Sequence, residues 1–114
     1  SLHDFVLVTC FSNYFGFQNW IQKAIDRYVI KKKDIVILIS SSGKSQNMLK
    51  AAKFCKKNSI YLITLTGFNK NNPLKKLGNI NLWVNSNLYN FVEVAHLQVL
   101  AYIVDMLSSA KNNR

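Results

Sequence analysis

Proline is almost missing from this 114-residue sequence, which holds one, and glycine is scarce at four. With apolar residues at 49%, a chain this poor in both carries enough hydrophobic mass to leave the disordered class. Cysteine is limited to Cys10 and Cys55, both in apolar contexts and without metal or redox spacing. They read as reduced core thiols of a cytoplasmic protein, a disulfide being the alternative. No apolar run approaches the roughly 20 residues that cross a bilayer, and no signal-peptide pattern opens the chain, so no membrane partner is expected. Acidic residues are few, five against fifteen Lys and Arg, for a formal charge of +10. That balance fits an anionic ligand, a nucleic acid or an acidic partner. The lysines scatter over several helix faces, however, with no aromatic-interleaved basic run and no zinc-finger spacing, so nucleic acid is not expected. The length suits one domain over 1–114 with a single core.

What is present is concentrated in one stretch, Asp34-Ile35-Val36-Ile37-Leu38-Ile39-Ser40-Ser41-Ser42-Gly43-Lys44-Ser45. The Ile/Val-rich run from Ile35 predicts a strand covered on both faces, hence a parallel sheet with helices on either side. From Gln46 the period becomes helical, with Met48, Ala51, Ala52 and Cys55 on one stripe and Lys50, Lys53, Lys56 and Lys57 off it. A strand, a hydroxyl-rich loop and a helix N-terminus form an anion site, because the first helical N–H groups lack intrahelical partners and the macrodipole is positive there. Ser40, Ser42 and Ser45 bring hydroxyls, Gly43 permits close backbone approach, and Lys44 adds a charge. Gly43-Lys44-Ser45 resembles the end of a nucleotide-triphosphate P-loop, but that motif needs glycine five residues earlier and Leu38 stands there. The competing reading is an N-cap at Ser45 beside a solvated serine loop, although capping requires one serine and not four.

Around this centre the pattern predicts a helix over 19–30, with Trp20, Ile21, Ala24, Ile25, Tyr28 and Val29 inward. It predicts a second buried strand over 60–66, and a loop over 68–72. A short helix over 74–77 follows, opened by Pro73 and stopped by Gly78, then a third strand over 80–84. The segment 4–10 has strand propensity. The final helix, about 90–109, is apolar almost all round and must be buried against more than one neighbour, a subunit interface being the economical answer. Within it Glu93 and His96 are three apart on one face. They could be an acid/base couple, two ligands of a metal such as zinc, or a structural ion pair.

The residues Ile39 to Ser45, then Asn47, then Leu62-Ile63-Thr64-Leu65-Thr66-Gly67 resemble the SIS (sugar isomerase) phosphosugar-binding domain, nearest to its phosphoheptose isomerase branch. In that family an S-x-S-G-x-S loop holds the sugar phosphate, which implies a phosphate site at Ser40, Ser41, Ser42, Gly43 and Ser45. Asp4 and Ser12-Asn13-Tyr14-Phe15-Gly16-Phe17 match a second family segment, with Tyr14 where the family has Asp. There the segment is a turn into a helix and not a strand, and Asp4 and Asn13 become candidate sugar contacts.

The resemblance implies a three-layer α/β sandwich with a short parallel sheet, of flavodoxin-like nucleotide-binding-type architecture. It covers this chain but only the later part of the domain: family members carry about two more strands and helices ahead of Asp4, with a Gly-rich loop and a catalytic glutamate. Residues upstream or a neighbouring chain would complete the sheet. The implied function is sugar-phosphate binding, as in an aldose–ketose isomerase acting on sedoheptulose 7-phosphate or a related sugar in polysaccharide-precursor metabolism. No cofactor is required, and a homodimer or homotetramer is expected. Glu93 and His96 are the candidate catalytic pair. The family's second histidine falls on Ala101, which cannot transfer a proton, so a non-catalytic SIS module for binding or oligomerisation is the alternative.

Overall fold

The computed structural model describes residues 25–26 and 34–112. Asp4, Asn13, the segment 4–10 and most of the expected helix over 19–30 lie outside the described residues, while Ile25 and Asp26 are helical as read. The order is β1 (Ile35–Ser40), α1 (Gln46–Lys57), β2 (Tyr61–Thr66), a 3₁₀ turn (Leu74–Lys76), β3 (Ile80–Trp83) and α2 (Tyr89–Asn112). The strands form one sheet in the order β1-β2-β3. Both pairings are parallel, with Ser40 beside Thr66 and Thr66 beside Trp83. The carboxyl ends of all three strands therefore meet on one edge.

Alternation along β1 and β2 sends successive side chains to opposite faces. Val36, Leu38 and Leu62 point to α1, where Met48, Leu49, Ala51, Ala52 and Cys55 complete a core with Ile25, Ile60 and Leu74. Ile37, Ile39, Ile63 and Leu65 point the other way, against Val99, Leu100 and Ile103 of α2. The result is a helix–sheet–helix sandwich. Each Ile or Leu fully buried in it stabilises the fold by about 1.5–3 kcal/mol relative to exposure. α1 closes at Asn58, whose side chain and backbone N–H both donate to the Phe54 carbonyl, and Ser59 turns the chain at φ 57°.

The edge strand β3 is fixed in register by two asparagines. Asn79 exchanges bonds with the Leu62 backbone, its N–H donating to the carbonyl at 2.7 Å and its Oδ1 accepting from the N–H at 2.8 Å. Asn81 Oδ1 accepts from the Thr64 hydroxyl at 2.6 Å and from the Gly78 N–H at 2.8 Å.

Within the single chain α2 packs on the sheet with one side only. Val92 and His96 are buried, yet Phe91, Val94, Leu97, Tyr102 and Met106 are exposed, so one side of the helix faces away from the sheet. Its segment Tyr89–Ser109 is also long and apolar enough to cross a membrane by length and composition, with mean hydropathy 1.4. That corrects the reading of no such stretch: Glu93, His96, Gln98 and Asp105 interrupt the run to the eye without lowering its average enough. Only 11% of that window is buried, although one side of the helix packs on the sheet.

Candidate functional site

The loop between β1 and α1 is held to its surroundings at two points. The Ser41 carbonyl accepts from the Gly67 N–H at 2.9 Å, which ties it to the residue after β2. The Gly43 carbonyl accepts from the Leu74 N–H at 3.1 Å, which ties it to the 3₁₀ turn. Between them Gly43 adopts φ +67°, a conformation that costs a side-chain-bearing residue about 1 kcal/mol or more.

The serines divide into two kinds. Ser40 and Ser41 are buried, at 1% and 5% exposure, whereas Ser42 and Ser45 are partly exposed at the mouth of the loop beside the exposed Lys44. Ser40 Oγ accepts from the Gly43 N–H at 3.1 Å and Ser42 Oγ from the Lys44 N–H at 3.2 Å. Both bonds use oxygen lone pairs and leave the hydroxyl protons available as donors. The Gly43 and Lys44 amides are thereby engaged within the loop, and the donors it keeps for a ligand are hydroxyl groups. Ser45 occupies the N-cap position of α1 but makes no cap bond. Its hydroxyl donates instead to Asn47 Oδ1, which also accepts the Met48 N–H at 2.9 Å. The hydroxyl sits over the positive end of α1, whose last turn carries Lys56 and Lys57 at the negative end.

Across the strand ends lies a residue the sequence did not mark. Asn72 is 1% exposed. Its Nδ2 is within reach of the Asn69 carbonyl at 2.9 Å, Thr66 Oγ1 at 3.1 Å and the Gly67 carbonyl at 3.2 Å. Its Oδ1 accepts from the Lys75 N–H at 2.9 Å. In the sequence it sits in an Asn-rich run ahead of Pro73 that reads as a loop. The usable signal was the habit of asparagine to bond nearby backbone in turns.

His96 is 2% exposed on the α2 face of the sheet. Its Nε2 lies 2.8 Å from the Thr66 carbonyl, an acceptor only, so the neutral ring carries its proton on Nε2. Nδ1 is buried with no hydrogen-bond partner among the described residues. Burial pushes the His96 pKa below its ordinary value, opposed by the Thr66 bond and by the nearby Glu93 charge. Glu93 lies three residues before His96 on α2 and is partly buried, whereas Ala101 is exposed. Among the described residues no three His, Cys, Asp or Glu side chains are grouped to hold a metal ion. The structure therefore brings Ser40, Ser41, Ser42, Gly43 and Ser45 into one loop, with Thr66 beside it and His96 behind Thr66.

An open parallel sheet with a hydroxyl-lined loop at the carboxyl end of a strand, running into a helix N-terminus, is an α/β domain with the geometry of an anion site. A family model for the SIS domain matches residues 24–104, and the chain belongs to that family. Phosphoheptose isomerase 2 of Campylobacter jejuni is 38% identical over 64 residues, covering 56% of this chain and 31% of that protein. The phosphoheptose isomerase of Helicobacter hepaticus is 27% identical over 106 residues, 93% of this chain and 53% of that protein. Among solved structures, a phosphoheptose isomerase from Francisella tularensis superposes with TM-score 0.71 at 25% identity, over 84% of this chain and 51% of that one. One from Neisseria gonorrhoeae, at 24% identity and TM-score 0.67, shares the fold. At most, the chain spans about half the length of these relatives.

Proposed function

We propose that this chain is the phosphosugar-binding part of an aldose–ketose isomerase acting on sedoheptulose 7-phosphate or a closely related sugar phosphate. The observation that supports this most is the loop itself. Two partly exposed serine hydroxyls, Ser42 and Ser45, stand with Lys44 at the N-terminus of α1, and the loop is fixed to the neighbouring strand by the Ser41–Gly67 bond. The family match and the relatives named phosphoheptose isomerase point to the same ligand class. In this reading Ser42 donates to a phosphate oxygen, and Ser45 does so once its proton turns from Asn47 Oδ1 to the ligand. Ser40 and Ser41 shape the loop from beneath, and Asp4 and Asn13 contact the sugar. The protein works in the cytoplasm as a homodimer or homotetramer, with no metal or organic cofactor required for the binding step.

Isomerisation moves a proton between adjacent carbons and needs a base within hydrogen-bond reach of the substrate. Glu93 is the better candidate of the pair. The Nε2 of His96 is engaged by the Thr66 carbonyl, and only its buried Nδ1 keeps a lone pair to accept a proton. Ala101, at the family's second-histidine position, favours a second reading in which the chain binds the sugar phosphate without turning it over.

The two readings separate in one assay of the full-length protein. Interconversion of sedoheptulose 7-phosphate with its aldose isomers, abolished by Glu93→Gln, supports the enzyme. Binding of the sugar phosphate without turnover supports the binding module. Absence of sugar-phosphate binding contradicts both.

A further inference from the structure

Asn72 makes more contacts than a surface turn requires: it bonds to the end of β2 and to its own turn, and it packs on Gly43 of the serine loop. Its carboxamide spans the gap between the end of β2 and the Gly43 turn. On one side Nδ2 reaches Thr66 Oγ1 and the Gly67 carbonyl. On the other, the side chain is packed so closely on Gly43 that a Cβ built there would lie 2.0 Å from Asn72 Oδ1 and 2.3 Å from Asn72 Cγ. The next residues of the same turn close the arrangement, with the Leu74 N–H on the Gly43 carbonyl at 3.1 Å and the Lys75 N–H on Asn72 Oδ1 at 2.9 Å.

We propose that Asn72 is a positioning residue for the phosphate loop: its buried carboxamide braces Gly43 against Thr66, which fixes where the Ser42 and Ser45 hydroxyls stand before the ligand arrives. This rests on the phosphate-binding reading of the loop. The physical reason is preorganisation. A loop with one left-handed glycine has several accessible conformations, and a ligand that must select one of them binds more weakly by the fraction of time the loop spends in it. Asn72 removes those alternatives by side-chain contact, beside the backbone bond from Leu74 N–H to the Gly43 carbonyl. It touches no ligand atom in this role and acts only through Gly43.

The test titrates inorganic phosphate into the full-length protein, with affinity read from the amide resonances of Gly43 and Lys44 and stability from urea unfolding. Asn72→Ala, and Asn72→Ser should the alanine variant fold poorly, weaken phosphate binding roughly 10-fold. The comparison variant is Asn81→Ala, which removes an asparagine bonded through both ends of its carboxamide from the β2–β3 seam. It lowers the urea midpoint but leaves phosphate affinity within about twofold of wild type, because general loss of stability does not move the loop. A third measurement reads the contact directly. Gly43→Ala places its methyl on Asn72, so the double variant with Asn72→Ala binds phosphate more tightly than the product of the two single losses predicts. Wild-type affinity in the Asn72 variants, alongside weakened binding in Ser42→Ala, overturns this inference alone. Equal losses in Asn72→Ala and Asn81→Ala overturn it as well. No phosphate binding by the wild type overturns it together with the reading it rests on.

Discussion

His96 donates from Nε2 to the carbonyl of Thr66 at 2.8 Å, joining α2 to the end of β2 across 30 residues of sequence. That carbonyl also accepts the Val84 N–H at 2.9 Å, so a single backbone oxygen fastens both α2 and the residue after β3 to the middle strand. Thr66 Oγ1 in turn receives Asn72 Nδ2. The residue beside Ser40 is thereby held from both faces of the sheet.

Stability should fall in mild acid because of His96. Burial lowers its pKa from the ordinary 6.5, so the unfolded chain binds more protons than the folded one between that value and the lower folded one. Stability is then fully present above about pH 6.5 and is lost as pH falls below it. His96→Gln keeps an N–H in the place of Nε2 and removes the titration. Urea midpoints measured from pH 7.5 to 5 should decline for the wild type and decline less for His96→Gln. Parallel curves would assign the decline to other groups.

Gly67 should not tolerate a side chain. A Cβ there would stand 2.6 Å from Val92 Cγ1, 3.0 Å from Cγ2 and 3.3 Å from the Ser41 carbonyl. Gly67→Ala should destabilise the fold by about 1–3 kcal/mol, as overpacking of a tight site does. Val92→Ala in the same chain should return part of that loss. A Gly67→Ala variant as stable as wild type would show that α2 yields easily at this contact.

The outward side of α2 should mediate self-association. Phe91, Leu97 and Tyr102 are 59%, 49% and 67% exposed, in a helix whose opposite side packs on the sheet. Apolar area of that kind on a stable protein marks a contact surface. Sedimentation of the wild type should give a dimer or tetramer, and Phe91→Asp with Leu97→Asp should give a folded monomer. A compact wild-type monomer at micromolar concentration would contradict this.

Cys55 should be silent to thiol reagents in the folded state. It is fully buried in the α1 core, and desolvation pushes its pKa up to about 11, so almost none of it is thiolate at neutral pH. In a Cys10→Ser background, reaction with a disulfide reagent at pH 8 should proceed only at the rate of unfolding. Fast labelling of the native protein would contradict the burial.

The architecture was legible because its signals are local. Six residues from Ile35 with four Ile or Val, and the Met48-Ala51-Ala52-Cys55 stripe, specify a buried strand and an amphipathic helix without help from elsewhere. The serine loop was legible for the same reason. What the sequence could not reveal depends on contacts between distant residues. Ser45 had the type and place of a capping serine, yet its proton goes to Asn47. Asn72 looked like one more asparagine in a loop, because its role arises only when Thr66 and Gly43 come together around it. For His96 the pairing with Glu93 along the helix was visible, but its bond to Thr66 was not, since no period encodes a contact 30 residues away. In α2 the apolar character was plain, whereas which side lies against the sheet follows from where Ile37, Ile39, Ile63 and Leu65 point.

The central claim is that the serine loop binds the phosphate of a sugar phosphate, and Ser42 is its most direct probe. Ser42 is partly exposed, and among the described residues its Oγ accepts from the exposed Lys44 N–H, so Ser42→Ala costs the fold little. A hydrogen bond to a charged group is worth about 1.5–3 kcal/mol. Calorimetric titration of the full-length protein with sedoheptulose 7-phosphate should therefore show affinity reduced roughly 10- to 150-fold in Ser42→Ala, and negligible binding of unphosphorylated sedoheptulose by either form. Equal affinity for the phosphorylated and unphosphorylated sugars, or an unchanged affinity in Ser42→Ala, would contradict it.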